Sequence, residues 1–457
     1  FERVPNSPAG GSAACSCRHC RLLLIIVSLL GLLGVLIFHQ LAGDDASAAA
    51  SMLAESSSPG ESAEPSLSKL YSAALTEIVF DTHRRRQLEQ QLLESNCRRR
   101  YRSLRPLGAG WSKAAELAVD AQTGETVALK RPHRSGRDML DCLRRRLGDV
   151  DGCYERLAGK FLRELVFLQS LDGTDGIVRL KGWCLSHREF YIATEVGNPL
   201  DIVSLLQMGW EDRLRIAADL AQLLHRLHAS PVGSLALRDF RRGQFALAGD
   251  GRLKLIDLDD LDRRLPRCSG RDGLCSEKVD KVNYVSTRCR QWTCPGHNDR
   301  VNLHRAGGQF FNFLLLHGAP PGLANGVRKL RRPGSANSGG GSQQLLIQIN
   351  RLVQQYSNGK YSLVDQAAGH SAAAFQLVPN ATVSGSDYPC SYTVLGARCR
   401  VTAFSLAEAR LLCAGEPGCR GFVVTPDRSW TNRTVIILKS AADKPVRLPG
   451  YQLYLRK

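Results

Sequence analysis

The chain has 457 residues, of which 61 are Lys or Arg and 43 are Asp or Glu, so its formal net charge is +18. Hydrophobic residues make up 43% of the chain and charged residues 23%, which excludes a wholly disordered protein and a fibrous one. At roughly 150 residues per domain, this length predicts two or three folded units.

An apolar run occupies residues 22–38. As a helix it would span about 25 Å, the short end of the length that crosses a bilayer. Arginines precede the run and aspartates follow it, and because positive charge stays cytoplasmic, we expect everything after the run to be exoplasmic. This predicts a type II membrane protein with a cytoplasmic segment at 1–21. The alternative is a cleaved signal peptide and a secreted chain.

The cysteines and the glycosylation motifs agree with an exoplasmic location. Of the 15 cysteines, three precede the apolar run and twelve follow it. Disulfides persist in the secretory pathway, so we expect these twelve cysteines to be paired. Asn380 and Asn432 begin Asn-X-Thr motifs that would accept glycans in the same compartment.

The rest of the chain divides by composition. Residues 39–69 are rich in Ala, Ser, Gly, Pro and Glu, which predicts a flexible stem. Strand-like runs followed by helical periodicity predict an α+β domain at 70–365, with a loop at 331–342. We expect a linker at 366–389 and a small disulfide-stapled module at 390–457.

A glycine-rich turn precedes a strand that ends in lysine. Gly108 and Gly110 would let the backbone approach a phosphate closely, but Lys113 stands where Gly-X-Gly-X-X-Gly has its third glycine. Lys130 ends the next apolar strand. A lysine there is ordinarily a solvated strand terminus, whereas behind a glycine loop it can hold the α- and β-phosphates of a nucleotide. Glu164, on a run with helical periodicity, is either the carboxylate that orients this lysine or an ordinary exposed glutamate.

Two aspartates decide between these interpretations. Asp239 follows Arg238, and Gln244 stands five residues later, where a kinase catalytic loop has an asparagine that binds a second metal. Asp257 ends an apolar strand, a position from which a carboxylate binds magnesium that bridges nucleotide phosphates. Each match alone proves little, but the whole ordered set predicts a kinase.

From about Leu107 to the C-terminus, the sequence resembles the vertebrate lonesome kinase family of extracellular protein-tyrosine kinases. The similarity includes the segments GWEDRLRIAADLAQLLHRLHASPVGSLALRDFRRGQFAL and LKLIDLDDLD and the final cysteine module. The resemblance implies a bilobal, protein-kinase-like α+β fold with disulfide-rich insertions in the C-terminal lobe. It also implies an ATP-dependent enzyme of the Golgi lumen or membrane, or a secreted one.

The resemblance further implies roles for the motif residues. Asp239 would orient or deprotonate the acceptor hydroxyl, and Lys130, held by Glu164, would position the phosphates. Asp257 and Gln244 would hold Mg²⁺ or Mn²⁺.

The nucleotide itself would be covered by Gly108, Gly110 and Lys113. Its adenine would contact the backbone of a hinge-like segment, formed by Thr194, Glu195 and Val196.

The sequence departs from ordinary kinases after the metal-binding strand. Asp259 replaces the glycine of Asp-Phe-Gly, and no Ala-Pro-Glu sequence follows; instead, the region 268–294 carries four cysteines. Our hypothesis is that disulfides fix this segment without phosphorylation. We also expect a disulfide between Cys142 and Cys153, while the pairing of the remaining cysteines stays open.

The arginine triplets at 84–86, 98–100 and 144–146 are either a solvated basic surface or a site for acidic glycans or acidic substrate regions. Nucleic acid is not expected as a partner in an exoplasmic compartment. Membrane contact is expected only through residues 22–38, if they are uncleaved.

The leading interpretation is a kinase that phosphorylates tyrosine on secretory-pathway or extracellular proteins. Tyrosine specificity comes from the resemblance alone, since Arg241 is basic like the lysine common in serine/threonine kinases. A glycan kinase is one alternative. A catalytically inactive kinase fold that serves as a binding scaffold is another, and the presence of Lys130, Glu164, Asp239 and Asp257 argues against it.

Overall fold

The structure is a computed structural model that describes residues 64–93, 100–186, 190–330, 340–361, 374–389, 399–441 and 443–457. The predicted cytoplasmic segment, the apolar run 22–38 and the stem up to residue 63 lie outside the described residues. Among the helices of the described part, none is both long and apolar enough to cross a membrane.

An antiparallel five-stranded sheet forms the first lobe. Its strands are Tyr101–Ala109 (β1), Lys113–Asp120 (β2), Thr126–Pro132 (β3), Leu180–Leu185 (β4) and Phe190–Glu195 (β5), in the order β1-β2-β3-β5-β4. Side chains alternate between the two faces of a strand. In β3, Val127 and Leu129 therefore join a small apolar core on one face, and Lys130 lies on the other.

Four helices pack in the first lobe, with the bounds Glu64–Ile78 (α1), Thr82–Leu93 (α2), Arg137–Arg145 (α3) and Val150–Ser170 (α4). The Asp149 carboxylate caps α4 by accepting the backbone N–H of Gly152. The predicted disulfide between Cys142 and Cys153 is present and ties α3 to α4.

Helix α1 begins within the predicted flexible stem, which extended to residue 69. Leu67 and Leu75 are buried in the main core, and the hydroxyl of Tyr71 donates to Oε1 of Gln169 on α4 at 2.8 Å. The low apolar content of the stem as a whole conceals this last apolar stripe, which is buried against α4. Helix α1 therefore includes residues 64–69, which the sequence assigns to the predicted stem.

The second lobe is mainly helical. Its helices are Ile202–Gln207 (α5), Trp210–His228 (α6), His297–Ala306 (α7), Ala324–Leu330 (α8) and Ser342–Ser357 (α9). Its strands are Gly197–Pro199 (β6), Ala236–Leu237 (β7), Phe245–Ala248 (β8), Leu253–Leu255 (β9), Leu261–Asp262 (β10), Leu274–Lys278 (β11) and Tyr284–Arg288 (β12). They form a β6-β8-β9 sheet, a β7-β10 pair and a β11-β12 hairpin.

Helix α6 runs through the core of this lobe. Leu214, Ala217, Leu220 and Leu224 recur at helical spacing and are buried in the main core. From the same helix, the Asp219 carboxylate accepts the backbone N–H of Leu253 at 3.0 Å. This bond fixes the start of β9, the strand that leads to Asp257.

The four cysteines of the region 268–294 form two disulfides, Cys268–Cys289 and Cys275–Cys294. They close the base of the β11-β12 hairpin, where three of the four side chains are buried. The predicted stapling of this segment is therefore present in the structure.

The C-terminal part contains a second five-stranded sheet. Its elements are Phe375–Val383 (β13), Arg400–Ala403 (β14), Leu406–Gly415 (α10), Gly421–Arg428 (β15), Thr434–Lys439 (β16) and Pro445–Arg456 (β17), with strand order β13-β17-β15-β16-β14. A disulfide joins Cys413 to Cys419. Strand β13 lies within the predicted linker 366–389. This segment is a regular strand because it pairs along its length with β17.

The terminal module is packed against the second lobe rather than separate from it. The Glu211 carboxylate on α6 accepts the hydroxyl of Thr431 at 2.5 Å. Arg433 donates to the carbonyl of Tyr356 on α9 at 2.9 Å and to Oε2 of Glu408 at 2.7 Å, and its guanidinium lies 4.0 Å from the centre of the Tyr356 ring. A fully buried arginine therefore joins α9 to the module.

We expect Arg433→Met to lower the free energy of unfolding by about 3 kcal/mol, because the substitution leaves the largely buried Glu408 carboxylate without its cation. Urea denaturation followed by tryptophan fluorescence measures this change. Arg447→Met, at an exposed position of β17, is the matched control. An equal loss in both variants would contradict the importance of this contact.

Candidate active site

Five charged side chains from four parts of the chain meet between the two lobes. They are Lys113 on β2, Lys130 on β3, Glu164 on α4, and Asp257 and Asp259 in the loop after β9. We call this group the charge cluster.

The two lysines share Glu164. Lys130 Nζ lies 2.5 Å from Glu164 Oε1 and also donates to the carbonyl of Ile256 at 2.5 Å. Lys113 Nζ lies 2.7 Å from Glu164 Oε2, 2.5 Å from Asp257 Oδ1 and 3.0 Å from Asp259 Oδ2. Lys113 therefore bridges the helix glutamate to the two aspartates.

Glu164 is fully buried on the core-facing side of helix α4, next to Leu165 and Phe161. A buried carboxylate without a partner is strongly unfavourable, so the two ammonium groups are what allow it to sit there. The structure thus excludes the exposed-glutamate interpretation of this residue and places Glu164 where the kinase pattern puts it.

Burial and neighbouring charges shift the pKa values of three groups in the charge cluster, and which of the two effects dominates differs between the groups. Burial alone would lower the pKa of Lys113, but Glu164, Asp257 and Asp259 raise it well above its usual value. Burial opposes ionisation of Asp257, yet Lys113 and Lys130 hold its pKa well below the ordinary range. Burial raises the pKa of Asp259, and Lys113 offsets this only in part.

The role of Asp259 as a partner was missed by the sequence analysis, which noted it only as a departure from Asp-Phe-Gly. Lys113 is predicted from the sequence to cover the nucleotide, in place of a third glycine, but its contacts with Glu164, Asp257 and Asp259 are not predicted. The two departures interact with each other: the ammonium group of Lys113, at the start of β2, contacts the carboxylate of Asp259 in the loop after β9. The presence of both Lys113 and Asp259 at positions where kinases have glycine was the sequence signal that could have predicted this contact.

Asp239 lies in the loop after β7. Its Oδ2 accepts a hydrogen bond from Gln244 Nε2 at 2.6 Å and forms an ion pair with Arg241. The backbone N–H of Ile256 donates to the carbonyl of Gln244 at 2.9 Å. Gln244 therefore connects the Asp239 loop to the residue next to Asp257.

Asn302 on α7 anchors the same loop, and no sequence motif pointed to it. Its Oδ1 accepts the backbone N–H of Leu237, and its Nδ2 donates to the carbonyl of Leu235, both at 2.8 Å. Arg305 adds a bond of 2.6 Å to the carbonyl of Leu237. One helix thus fixes the backbone just before Asp239.

Arg238, whose partner was unknown from the sequence, forms an ion pair with Glu277 on β11. Burial would raise the pKa of Glu277, but His297, Arg238 and Arg305 lower it to about 2. The hairpin that the two disulfides close is therefore also held against the Asp239 loop by ion pairs within the chain. That disulfides fix this segment without phosphorylation stays a hypothesis.

The glycine turn leaves open space beside β1. The N–H of Gly110 donates to the carbonyl of Lys113 at 2.7 Å and closes the turn. A Cβ atom built on Gly108 would meet no protein atom within 4 Å. The protein's own packing does not require glycine at this position.

The hinge-like segment joins the two lobes. Thr194 is buried within the sheet, and the backbone N–H of Arg179 donates to the carboxylate of Glu195 at 2.9 Å. Val196 lies between β5 and β6, where the chain passes from one lobe to the other.

Comparisons with known proteins agree with this geometry. A family model described as the protein-kinase domain of FAM69 matches residues 158–332. The extracellular tyrosine-protein kinase PKDCC of Homo sapiens is 34% identical over 355 residues, which cover 77% of this chain and 70% of that protein. The chain belongs to the PKDCC family of kinases. The resemblance to the lonesome kinases and the bilobal α+β fold are therefore confirmed.

A second relative is named for a sugar acceptor rather than for tyrosine. The protein O-mannose kinase of Gallus gallus is 30% identical over 133 residues, which cover 24% of this chain and 37% of that protein. The family thus supports a secretory-pathway kinase that uses ATP and divalent metal ions.

The ion pairs of Glu277 predict a pH dependence. A carboxylate with a pKa lowered from 4.5 to about 2 contributes stability that is complete above pH 4.5 and is lost as the pH falls towards 2. We expect Glu277→Gln to be less stable than wild type by at most about 3 kcal/mol near neutral pH, with the difference shrinking between pH 4.5 and 2.

Thermal unfolding of both proteins across this range measures the difference. Asp272→Asn, an exposed substitution near the start of the same hairpin, is the control and should not show the effect. A difference between Glu277→Gln and wild type that stays constant down to pH 2 would contradict the assignment.

Proposed function

We propose that this protein transfers the γ-phosphate of ATP to tyrosine hydroxyls of secreted or extracellular proteins. The observation that carries the proposal is the buried Lys130–Glu164 pair, joined through Lys113 to the strand-ending Asp257. This arrangement is the one by which kinases hold nucleotide phosphates between a strand lysine and a metal-binding aspartate.

The side chains present suit a nucleotide and a divalent cation. Asp257 and Gln244 offer carboxylate and amide oxygens, which are the hard ligands that Mg²⁺ and Mn²⁺ prefer. The side chain of Asp257 is 24% exposed, so it can be reached from solvent. The space beside Gly108 would admit phosphate oxygens close to the backbone.

The bound cation would neutralise charge on the phosphate oxygens. Lys130 would position the α- and β-phosphates while Glu164 holds its ammonium. Lys113, which now neutralises Asp257 and Asp259, would be released towards the phosphates. Val196 and the adjoining backbone of Thr194 and Glu195 would receive the adenine.

Asp239 would act on the acceptor. Among the described residues, Arg241 and Gln244 both contact Oδ2 of Asp239, so Oδ1 is the oxygen we assign to the incoming hydroxyl. As the γ-phosphoryl group moves from ATP to the acceptor oxygen and ADP leaves, the hydroxyl proton would pass to Oδ1. Positioned bases of this kind contribute about 10²- to 10⁴-fold to the rate.

The choice of tyrosine is supported by the name of PKDCC, the relative that matches over most of the chain. A sugar hydroxyl is the second candidate acceptor, and the similarity to a protein O-mannose kinase favours it. The pairing of Arg241 with Asp239 is compatible with either acceptor.

Incorporation of labelled phosphate from ATP into mixed secreted proteins tests the proposal, with Mg²⁺ or Mn²⁺ present and the modified residue found by mass spectrometry. We expect phosphotyrosine with wild type and a loss of about 100-fold or more in Asp239→Asn. Asp250→Asn, in the turn after β8, is the matched control and should retain activity.

Other acceptors would revise the proposal in defined ways. If phosphate is found only on sugar, the acceptor is a sugar hydroxyl and the tyrosine assignment is wrong. Phosphate found only on serine or threonine would retain the kinase and overturn the tyrosine assignment. An absence of both incorporation and nucleotide binding would contradict the proposed activity and favour a binding scaffold.

A further inference from the structure

The hairpin β11-β12 presents one complete face to solvent. In both strands exposed residues alternate with residues of lower exposure, so every second side chain points outwards. We call the six exposed side chains the hairpin face: Leu274, Ser276, Lys278, Tyr284, Ser286 and Arg288. Across the two strands they pair as Leu274 with Arg288, Ser276 with Ser286, and Lys278 with Tyr284.

The hairpin face carries basic and apolar side chains but no acidic ones. It holds two cations, two large apolar side chains and two hydroxyls, and none of its six residues is acidic. Leu274 is 54% exposed and Tyr284 is 62% exposed. The neighbouring turns add exposed Arg271, Arg290 and Trp292, and also two exposed carboxylates, Asp272 and Asp280. The absence of acidic groups is therefore a property of the six residues of the hairpin face alone.

The other face of the hairpin is fixed next to the catalytic loop. Glu277 forms an ion pair with Arg238, the residue immediately before Asp239. Cys275 is joined to Cys294, and Val285 packs with Ala236 and Val301. The exposed face is therefore held rigidly, and it belongs to the element that contacts the Asp239 loop.

We propose that the hairpin face binds an acidic segment of the acceptor protein that also carries an apolar side chain. This inference rests on the proposed function, because it gives that function a substrate class. Alternate residues of a strand lie about 7 Å apart, so an extended segment along the hairpin can match its spacing. Carboxylates then meet Lys278 and Arg288, and an apolar side chain covers Leu274 or Tyr284.

A protein segment fits this face better than an acidic glycan does. Cations alone suffice to bind a sulfated sugar and would leave Leu274, Tyr284 and Trp292 without a use. Protein interfaces combine apolar and polar groups. Here each apolar side chain lies opposite a cation, Leu274 opposite Arg288 and Tyr284 opposite Lys278, with the two serines between these pairs.

Two peptides test the proposal with the full chain. One has a central tyrosine flanked by glutamates and a leucine, and in the other every glutamate is replaced by glutamine. Wild type should phosphorylate the acidic peptide with a KM at least 10-fold lower. The double variant Lys278→Glu/Arg288→Glu should raise that KM at least 10-fold, without changing kcat or the kinetics of the neutral peptide.

The control variant is Lys329→Glu/Arg351→Glu, which makes the same change of charge at exposed positions of α8 and α9. It should behave as wild type. The milder variant Lys278→Ser/Arg288→Ser should show a smaller increase in KM, and it replaces the charge reversal if that protein does not fold. Equal KM values for the two peptides in wild type, or an equal loss in the control, would overturn the proposal.

A binding measurement separates this inference from the proposed activity. Fluorescence anisotropy of the labelled acidic peptide with the Asp239→Asn chain reports docking without transfer. Binding that Lys278→Glu/Arg288→Glu weakens at least 10-fold supports the docking face even if wild type transfers no phosphate. Binding of a sulfated oligosaccharide, but not of the acidic peptide, would overturn the assignment to a protein segment.

Discussion

The buried carboxylate of Glu164 is the constraint on which the active site depends. The side chain of Glu164 has no exposed surface, so it requires cations, and Lys130 and Lys113 supply them. Breaking a buried pair of this kind costs about 3–5 kcal/mol. The same two lysines contact Ile256 and Asp257. These contacts therefore fix helix α4, the sheet of the first lobe and the start of the Asp257 loop relative to one another.

The Asp239 loop is held from the other side by groups of the second lobe. Asn302 fixes the backbone before Asp239, and Arg238 is joined to Glu277 on the hairpin. Two disulfides close the base of that hairpin. Many kinases order this region with a phosphate that pairs with arginine. Here the partner of Arg238 is the Glu277 carboxylate, on a hairpin that two disulfides close.

Sequence patterns located the residues whose local context is distinctive. The end of an apolar strand indicated Lys130 and Asp257, and the Arg-Asp loop with its amide indicated Asp239 and Gln244. The structure brings Lys130, Glu164 and Asp257 into one cluster and Gln244 against Asp239. Their catalytic and metal-binding roles remain proposals.

The features that sequence reasoning missed depend on long-range contacts. Asn302 acts on a backbone 65 residues away, and Glu277 pairs with an arginine 39 residues away. The sequence around Asn302 on α7 and Glu277 on β11 contains no motif that predicts these distant partners. The start of α1 at Glu64 and the strand β13 were missed for a related reason. Both lie next to segments with the composition of a stem or a linker, and what makes them regular is packing on α4 and pairing with β17.

The most direct test of the charge cluster is the thermal stabilisation of the protein by ATP with Mn²⁺, compared between wild type and Asp257→Asn. A ligand at 100 times its Kd stabilises the folded state by about 2.7 kcal/mol, so wild type should show a clear rise in Tm. Asp257→Asn should show almost none, while Asp250→Asn should behave as wild type. An equal rise in Asp257→Asn, or no rise in wild type, would contradict the account of this site as a nucleotide and metal site.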